Sequence, residues 1–225
     1  MESVKEELQK QILRDFRDGR LALPSMPEVA WRIRDAVGRE GRSLAEVARI
    51  VQLDPALAAR LLQVANSPRY LSGHRVTNCL GAVMRLGIDA TRNLATSLAL
   101  RNVYQGESAA VRHHLKEAWL ESCRVGAVCQ VLASVTPGLK PDRALLAGLV
   151  HNIGVLPALQ YFERFPDLAA DPSRLAQVVA WVRGRLGGLL LRHWQFDPAL
   201  ASVPEQASAW WREGEAGPDD VDLVL

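Results

Sequence analysis

An all-α fold of many short helices is what this 225-residue sequence predicts, on three observations. Apolar residues recur at three- and four-residue spacing along most segments, which marks helices with one buried stripe. Helix-start chemistry, an Asp or Ser followed by Pro or Glu, stands just ahead of several of those segments. Pro and Gly punctuate the gaps between them.

In chain order, Val4, Leu8, Ile12 and Phe16 place one apolar stripe on an amphipathic helix over 4–19 that packs on the main body. Leu23-Pro24-Ser25-Met26-Pro27 breaks it, and Pro27 opens a helix to about Val37 with Val29, Ala30 and Ile33 inward. Ser43-Leu44-Ala45-Glu46 is a capping box for a short helix to about Leu53. Asp54-Pro55 starts the next, with Leu57, Leu61, Val64 and Ala65 on one face, and Asp-Pro-Ala-Leu returns at 197–200 as a reused helix start. After a loop through Gly73, Thr77 caps a helix to about Leu86, Gly87 breaks the chain, and Asp89 caps a helix carrying Leu94, Leu98 and Val103, with Arg92 and Asn93 on another side. A long helix spans about Ala110 to Ala133, with Leu115, Trp119, Val125, Val128 and Leu132 as its apolar positions, and Thr136-Pro137-Gly138 ends it. Asp142 caps the helix that runs into Leu149-Val150-His151-Asn152-Ile153-Gly154, and Pro157 interrupts the next segment. A connector over 163–172 leads to a last long helix from Ser173 with Val178, Val182, Leu186, Leu189 and Leu190. The apolar ending, Val221 with Leu223 to Leu225, belongs either to a longer chain or to a segment docked on the body.

The 27 basic and 25 acidic residues leave a net charge of +2, far from the basic field of a nucleic-acid binder. Only Lys5, Lys10, Lys116 and Lys140 are lysines, and the arginines form no cluster with interleaved aromatics. Three cysteines, Cys79, Cys123 and Cys129, are odd in number without C-x-x-C spacing, so a reducing cytoplasm is expected and neither a disulfide framework nor a zinc knuckle is suggested. The N-terminus has no signal-peptide core, and no run of about 18 apolar residues is expected to span a membrane. No G-x-S-x-G elbow, P-loop or dinucleotide fingerprint occurs, and Gly184, Gly187 and Gly188 fall in a helical context unsuited to a phosphate cradle.

Leu23-Pro24-x-Met26-Pro27, Asp54-Pro55-Ala56-Leu57, Leu61-Leu62-x-x-Ala65-Asn66-Ser67, Ala82-x-x-x-Leu86-Gly87 and Arg92-Asn93-Leu94-Ala95 follow one another in an order and with gaps that resemble the HDOD family. The resemblance covers roughly residues 21–200. It implies an all-helical bacterial signalling module related to HD phosphohydrolases, most members of which lack the complete metal site. On that pattern, residues 1–20 are an N-terminal amphipathic helix and 21–225 the HDOD domain, with an N-terminal lobe at about 21–104 and an HD-like lobe at about 109–225.

His151-Asn152-Ile153-Gly154 is similar to the HD signature L-x-H-D-I-G, with Asn at the metal-bridging Asp position. A carboxamide is neutral and offers a hard cation one weak carbonyl oxygen, where a carboxylate offers charge and two oxygens. The supporting histidines are missing too. Glu121 stands at the family's first histidine in Ala118-Trp119-Leu120-Glu121-Ser122, Arg183 stands in the later His-x-x-x-Gly spacing, and Val203-Pro204-Glu205-Gln206 carries no histidine pair. His151 and Glu121 alone make a poor open metal site, so no catalytic residue, metal or cofactor is expected, and His151 is expected to hydrogen-bond in the core while Asn152 caps the next helix. His113 and His114 are expected to be solvated, and His74 and His193 to serve surface or packing. Cys123 and Cys129 read as small core residues, and Trp210-Trp211 as a packing pair or a partner anchor.

The function implied is a non-catalytic signal-transduction module that acts as a protein-binding adaptor or ligand-responsive regulator. Its expected partner is a signalling protein, with a small nucleotide as a further ligand and with neither nucleic acid nor membrane bound. Asn66, Ser67, Tyr70, Arg92 and Asn93 are expected nearest a cleft between the lobes, with loop anchoring as the competing role. The alternatives are a metal-dependent phosphohydrolase of nucleotides or cyclic dinucleotides, and a nucleotide sensor that binds without cleaving.

Overall fold

Cap chemistry places the helices of the protein, seen here in a computed structural model that describes residues 2–21, 23–38, 43–70, 73–104, 109–162, 171–207, 209 and 218–225. The helices are α1 (Glu2–Arg17), α2 (Glu28–Gly38), α3 (Leu44–Gln52), α4 (Pro55–Ala65), α5 (Cys79–Leu86), α6 (Ile88–Leu100), α7 (Ala109–Val135), α8 (Pro141–Val150), α9 (Val155–Phe162), α10 (Pro172–His193) and α11 (Pro198–Gln206), with a 3-10 turn at Arg101–Val103. Among the described residues there is no strand, so the fold class is all-α as the helical spacing implies. The chain divides into two units, one of residues 26–102 and one of residues 1–25 with 103–225.

In the smaller unit, α2 packs on α3 and α6, α3 on α5, and α4 on α5. Ile33, Val47, Val51, Leu61 and Leu100 are fully buried. Ser43 accepts from the Glu46 amide and Asp54 from the amides of Ala56 and Leu57, so both helix starts expected from sequence are present. Two others shift. Asn78, not Thr77, caps α5 by accepting from Gly81 N at 2.8 Å. Gly87, at φ 83°, precedes α6, while Asp89 lies in its first turn and pairs with Arg92 at 3.3 Å. An acid in that turn meets the positive end of the helix dipole as a cap would, which is why the two positions look alike in sequence.

In the larger unit, α7 lies along α8, and α10 packs on α9, α11 and α1. Leu115, Leu146, Ile153, Leu156, Leu186, Leu190 and Leu191 are fully buried. The Tyr161 hydroxyl donates to Asp15, tying α9 to α1. Lys140 rather than Asp142 precedes α8, and Asp142 is buried in the first turn. Pro157 does not interrupt α9, because it sits in the first turn, where its missing N–H would have had no helical acceptor. Asp171 caps α10 by accepting from Arg174 N at 3.0 Å, with Pro172 at the first position, in place of the expected Ser173.

Val128 and Leu132, two of the apolar positions of that helix, are exposed on α7, together with Val131 and Val135; the buried side of that turn is formed by Cys129 and Ala133, against Ala144. The apolar ending docks here. Leu223 and Val224 pack on the same cluster, Cys129 Sγ donates to Leu223 O at 3.1 Å, and Arg143 bonds both Asp220 and the α11 cap Asp197. The stretch Pro141–Phe162 corrects another expectation, since by length and composition it is apolar enough to cross a membrane. Its most apolar window is 83% buried inside the unit, because α8 and α9 are both core helices. The 163–170 connector, the 105–108 segment and Trp210-Trp211 lie outside the described residues.

Candidate functional site

Two close backbone approaches set the position of His151 and Asn152. A Cβ on Gly148 would overlap the Gly126 backbone of α7, so α8 reaches α7 this closely because residue 148 is glycine; a Cβ on Gly126 would itself stand 3.0 Å from the Leu145 carbonyl oxygen. A Cβ on Gly154 would overlap the Arg183 carbonyl oxygen and lie 2.5 Å from Gly187 N, so the turn after α8 rests directly on the α10 backbone. Gly184, Gly187 and Gly188 continue the theme against Pro204 and Glu205 of α11. These glycines serve helix packing.

The approach at Gly154 delivers Arg183 to Asn152. Arg183 Nη1 donates to Asn152 Oδ1 at 2.8 Å, and the Asn152 side chain is buried. Asn152 was expected to cap the following helix; its backbone oxygen accepts from Val155 N at 3.1 Å, but its side-chain oxygen is taken by the guanidinium. A charged donor on a buried amide oxygen is one of the stronger hydrogen bonds, worth about 1.5–3 kcal/mol.

His151 is half-buried, and its Nδ1–H donates to Gly148 O at 2.7 Å, which leaves Nε2 as the acceptor nitrogen. Burial holds the imidazole below its ordinary pKa; the Arg183 charge adds to that lowering, while the Gly148 bond and Glu121 oppose it. Glu121 itself is exposed and pairs with Arg124 at 3.3 Å. The structure thus brings His151, Asn152 and Arg183 together, with Glu121 near enough to be felt electrostatically. Among the described residues, no three His, Cys, Asp or Glu side chains gather in a group able to hold a metal ion.

Glu205, at the expected position of a histidine pair, bonds Arg192 at 2.7 Å. His113 and His193 are exposed, as is His74, whose backbone oxygen accepts from Arg85 at 2.6 Å. His114 differs from the expectation of a solvated residue, being half-buried and lining a cavity with Arg183. Cys129 is fully buried and Cys123 partly so.

The residues expected near a cleft have separate local roles. Asn66 closes the 66–76 loop: Nδ2 donates to Val76 O at 2.8 Å and Oδ1 accepts from Val76 N at 2.9 Å. Arg85 reinforces it by donating to Ala65 O and His74 O. Ser67 and Tyr70 follow in that loop, half-buried, with the Arg69 guanidinium 5.7 Å from the Tyr70 ring. Arg92 and Asn93 stand on α6; Arg92 is partly exposed and Asn93 is buried, with its backbone oxygen bonded by Ser97.

Comparison with known proteins places the fold in a family. A family model described as the HDOD domain matches residues 23–209. A solved structure from Shewanella amazonensis, provisionally called a metal-dependent phosphohydrolase, is 32% identical and superposes with a TM-score of 0.84, covering 99% of this chain and 81% of that one. An HDOD domain protein of unknown function from Geobacter sulfurreducens is 22% identical with a TM-score of 0.65, over 97% of this chain and 76% of that one, and it speaks to fold alone. A curated relative, an uncharacterized protein of Treponema pallidum (strain Nichols), is 28% identical over 137 residues, 59% of this chain; the match spans 25% of the relative's length.

Proposed function

The chain belongs to the HDOD family of HD-related regulatory modules, and from that premise we propose that it is a non-catalytic bacterial, cytoplasmic signalling component whose regulated state is read by a protein partner. The observation that carries this reading is the Arg183 to Asn152 hydrogen bond. An HD phosphohydrolase polarises phosphate and acidifies water with cations held by convergent carboxylates and imidazoles. Here the bridging carboxylate is a neutral amide, its oxygen is occupied by a guanidinium, and that guanidinium carries positive charge into the place where a cation would need anionic donors. The remaining donors are one imidazole Nε2 and an exposed Glu121 already paired with Arg124. This donor set does not fit a catalytic divalent ion.

Ser67, Tyr70 and Arg92, which keep partly exposed side chains, are the proposed partner-facing residues of the smaller unit; Asn66 and Asn93 act through loop closure and helix packing. The test is turnover of bis(p-nitrophenyl) phosphate and cyclic dinucleotides with Mn(II) or Fe(II) supplied, run beside cross-linking of the tagged chain in a bacterial cell. The reading expects no metal-dependent product and one recurrent signalling partner whose capture weakens in the Tyr70→Ala, Arg92→Ala double variant. Metal-dependent cleavage abolished by His151→Ala would overturn it.

A further inference from the structure

Beside Arg183, the larger unit holds a partly open cavity of about 190 Å³ lined by His114, Val155, Leu159, Leu175, Val179 and Arg183, with Ala176 and Ala180 at its side. Its walls are aliphatic, supplied by α9 and α10, and its cationic group is the Arg183 guanidinium. Only Nη1 of that guanidinium is engaged, on Asn152; Nε and Nη2 have no hydrogen-bond partner among the described residues. Two adjacent N–H donors match the two oxygens of a carboxylate.

We infer that this cavity is a binding site for a medium-chain aliphatic carboxylate, its head on Arg183 and His114 and its chain between α9 and α10. The inference goes beyond the regulatory reading by giving that module a small-molecule input.

Size and chemistry select the class. An apolar cavity near 150 Å³ holds benzene, and drug-sized ligands take roughly 300–1,000 Å³, so this cavity suits a chain of about six to eight carbons. A nucleotide is too large for it, and the His114 imidazole is the one aromatic ring in the lining. A neutral alkane would fill the aliphatic part but leave the guanidinium donors unsatisfied, and an alcohol would accept from them through one uncharged oxygen, a weaker match than the two charged oxygens of a carboxylate.

The experiment titrates butanoate, hexanoate, octanoate, 1-hexanol and AMP into the isotope-labelled full chain, following the amides of Val155, Leu159 and Val179 and the Arg183 Nε–H by NMR. Affinity is expected to rise about fourfold per added methylene up to octanoate. Hexanoate is expected to bind at least tenfold more tightly than 1-hexanol, and Arg183→Gln to remove that preference. Because Arg183 also holds Asn152, a second variant keeps the guanidinium and fills the cavity: Ala176→Phe should abolish octanoate binding with the fold intact. Absent or displaced shifts, equal binding of hexanoate and hexanol, unchanged affinity in Ala176→Phe, or AMP displacing octanoate from these residues would each overturn the assignment. Those outcomes leave the non-catalytic reading standing, since it fails only on turnover and metal content.

Discussion

Replacing Gly154 with Ala tests the contact on which the whole site hangs. The added Cβ would overlap the Arg183 carbonyl oxygen and lie 2.5 Å from Gly187 N and 2.7 Å from Arg183 C, all of them backbone atoms that no rotamer change can move. The turn and α10 must separate, which costs about 1–3 kcal/mol or more as overpacking. Separation also stretches the 2.8 Å bond from Arg183 to Asn152. Losing a charged hydrogen bond to a buried amide adds about 1.5–3 kcal/mol. Together these reach about 3–6 kcal/mol, a fall in Tm of about 6–24 °C at the 2–4 °C per kcal/mol typical of this size. Thermal and urea unfolding followed by circular dichroism measures it. Gly138→Ala is the control: it meets no atom within 4 Å, and its φ of +87° costs only about 1 kcal/mol. Equal Tm values for the Gly154 and Gly138 variants would refute the argument that the turn rests on the α10 backbone.

Asn66→Ala removes both bonds to Val76 and should cost about 2–3 kcal/mol, with the Val76 amide exchanging faster with solvent in hydrogen exchange while α10 amides are unaffected. The lowered pKa of His151 sets a pH dependence. The unfolded chain takes up the proton that the folded site resists, so stability is full above the ordinary value of 6.5 and falls as pH drops through it, levelling below the folded pKa. Subtracting the melting curves of His151→Gln from those of the wild type isolates this slope, at most about 1.4 kcal/mol per pH unit. Asn152→Asp restores the HD carboxylate, yet the new charge should pair with Arg183, so Mn(II) should leave its Tm unchanged.

Local chemistry made most helix starts legible in the sequence. Asp54-Pro55 and Asp197-Pro198 are each a cap acceptor followed by a residue whose missing N–H costs nothing there, and both open helices as expected. Asp89 and Asp142 carry the same charge into the first turn, so one-dimensional reading shifts the boundary by a residue or two. The exposed face of α7 is not legible in the sequence for a different reason. Val128 and Leu132 follow helical spacing, but the partner helix takes the neighbouring face of small residues, Cys129 and Ala133.

At the site, the charge mismatch was visible in the residue types at 121, 152 and 183. What spacing could not supply is that Arg183, 31 positions further on, bonds Asn152 directly. That meeting depends on Gly154 approaching backbone in another helix, a tertiary event with no local signature. The cavity beside Arg183 was likewise hidden, because its aliphatic lining reads in sequence as ordinary core.

The most direct test of the central claim is elemental analysis of the full chain purified without chelator, before and after incubation with excess Mn(II) or Fe(II) and desalting. If Arg183 and Asn152 have taken over the centre of an HD site, transition-metal content stays far below one per chain in both samples. Near-stoichiometric metal that is lost in His151→Ala would contradict the account.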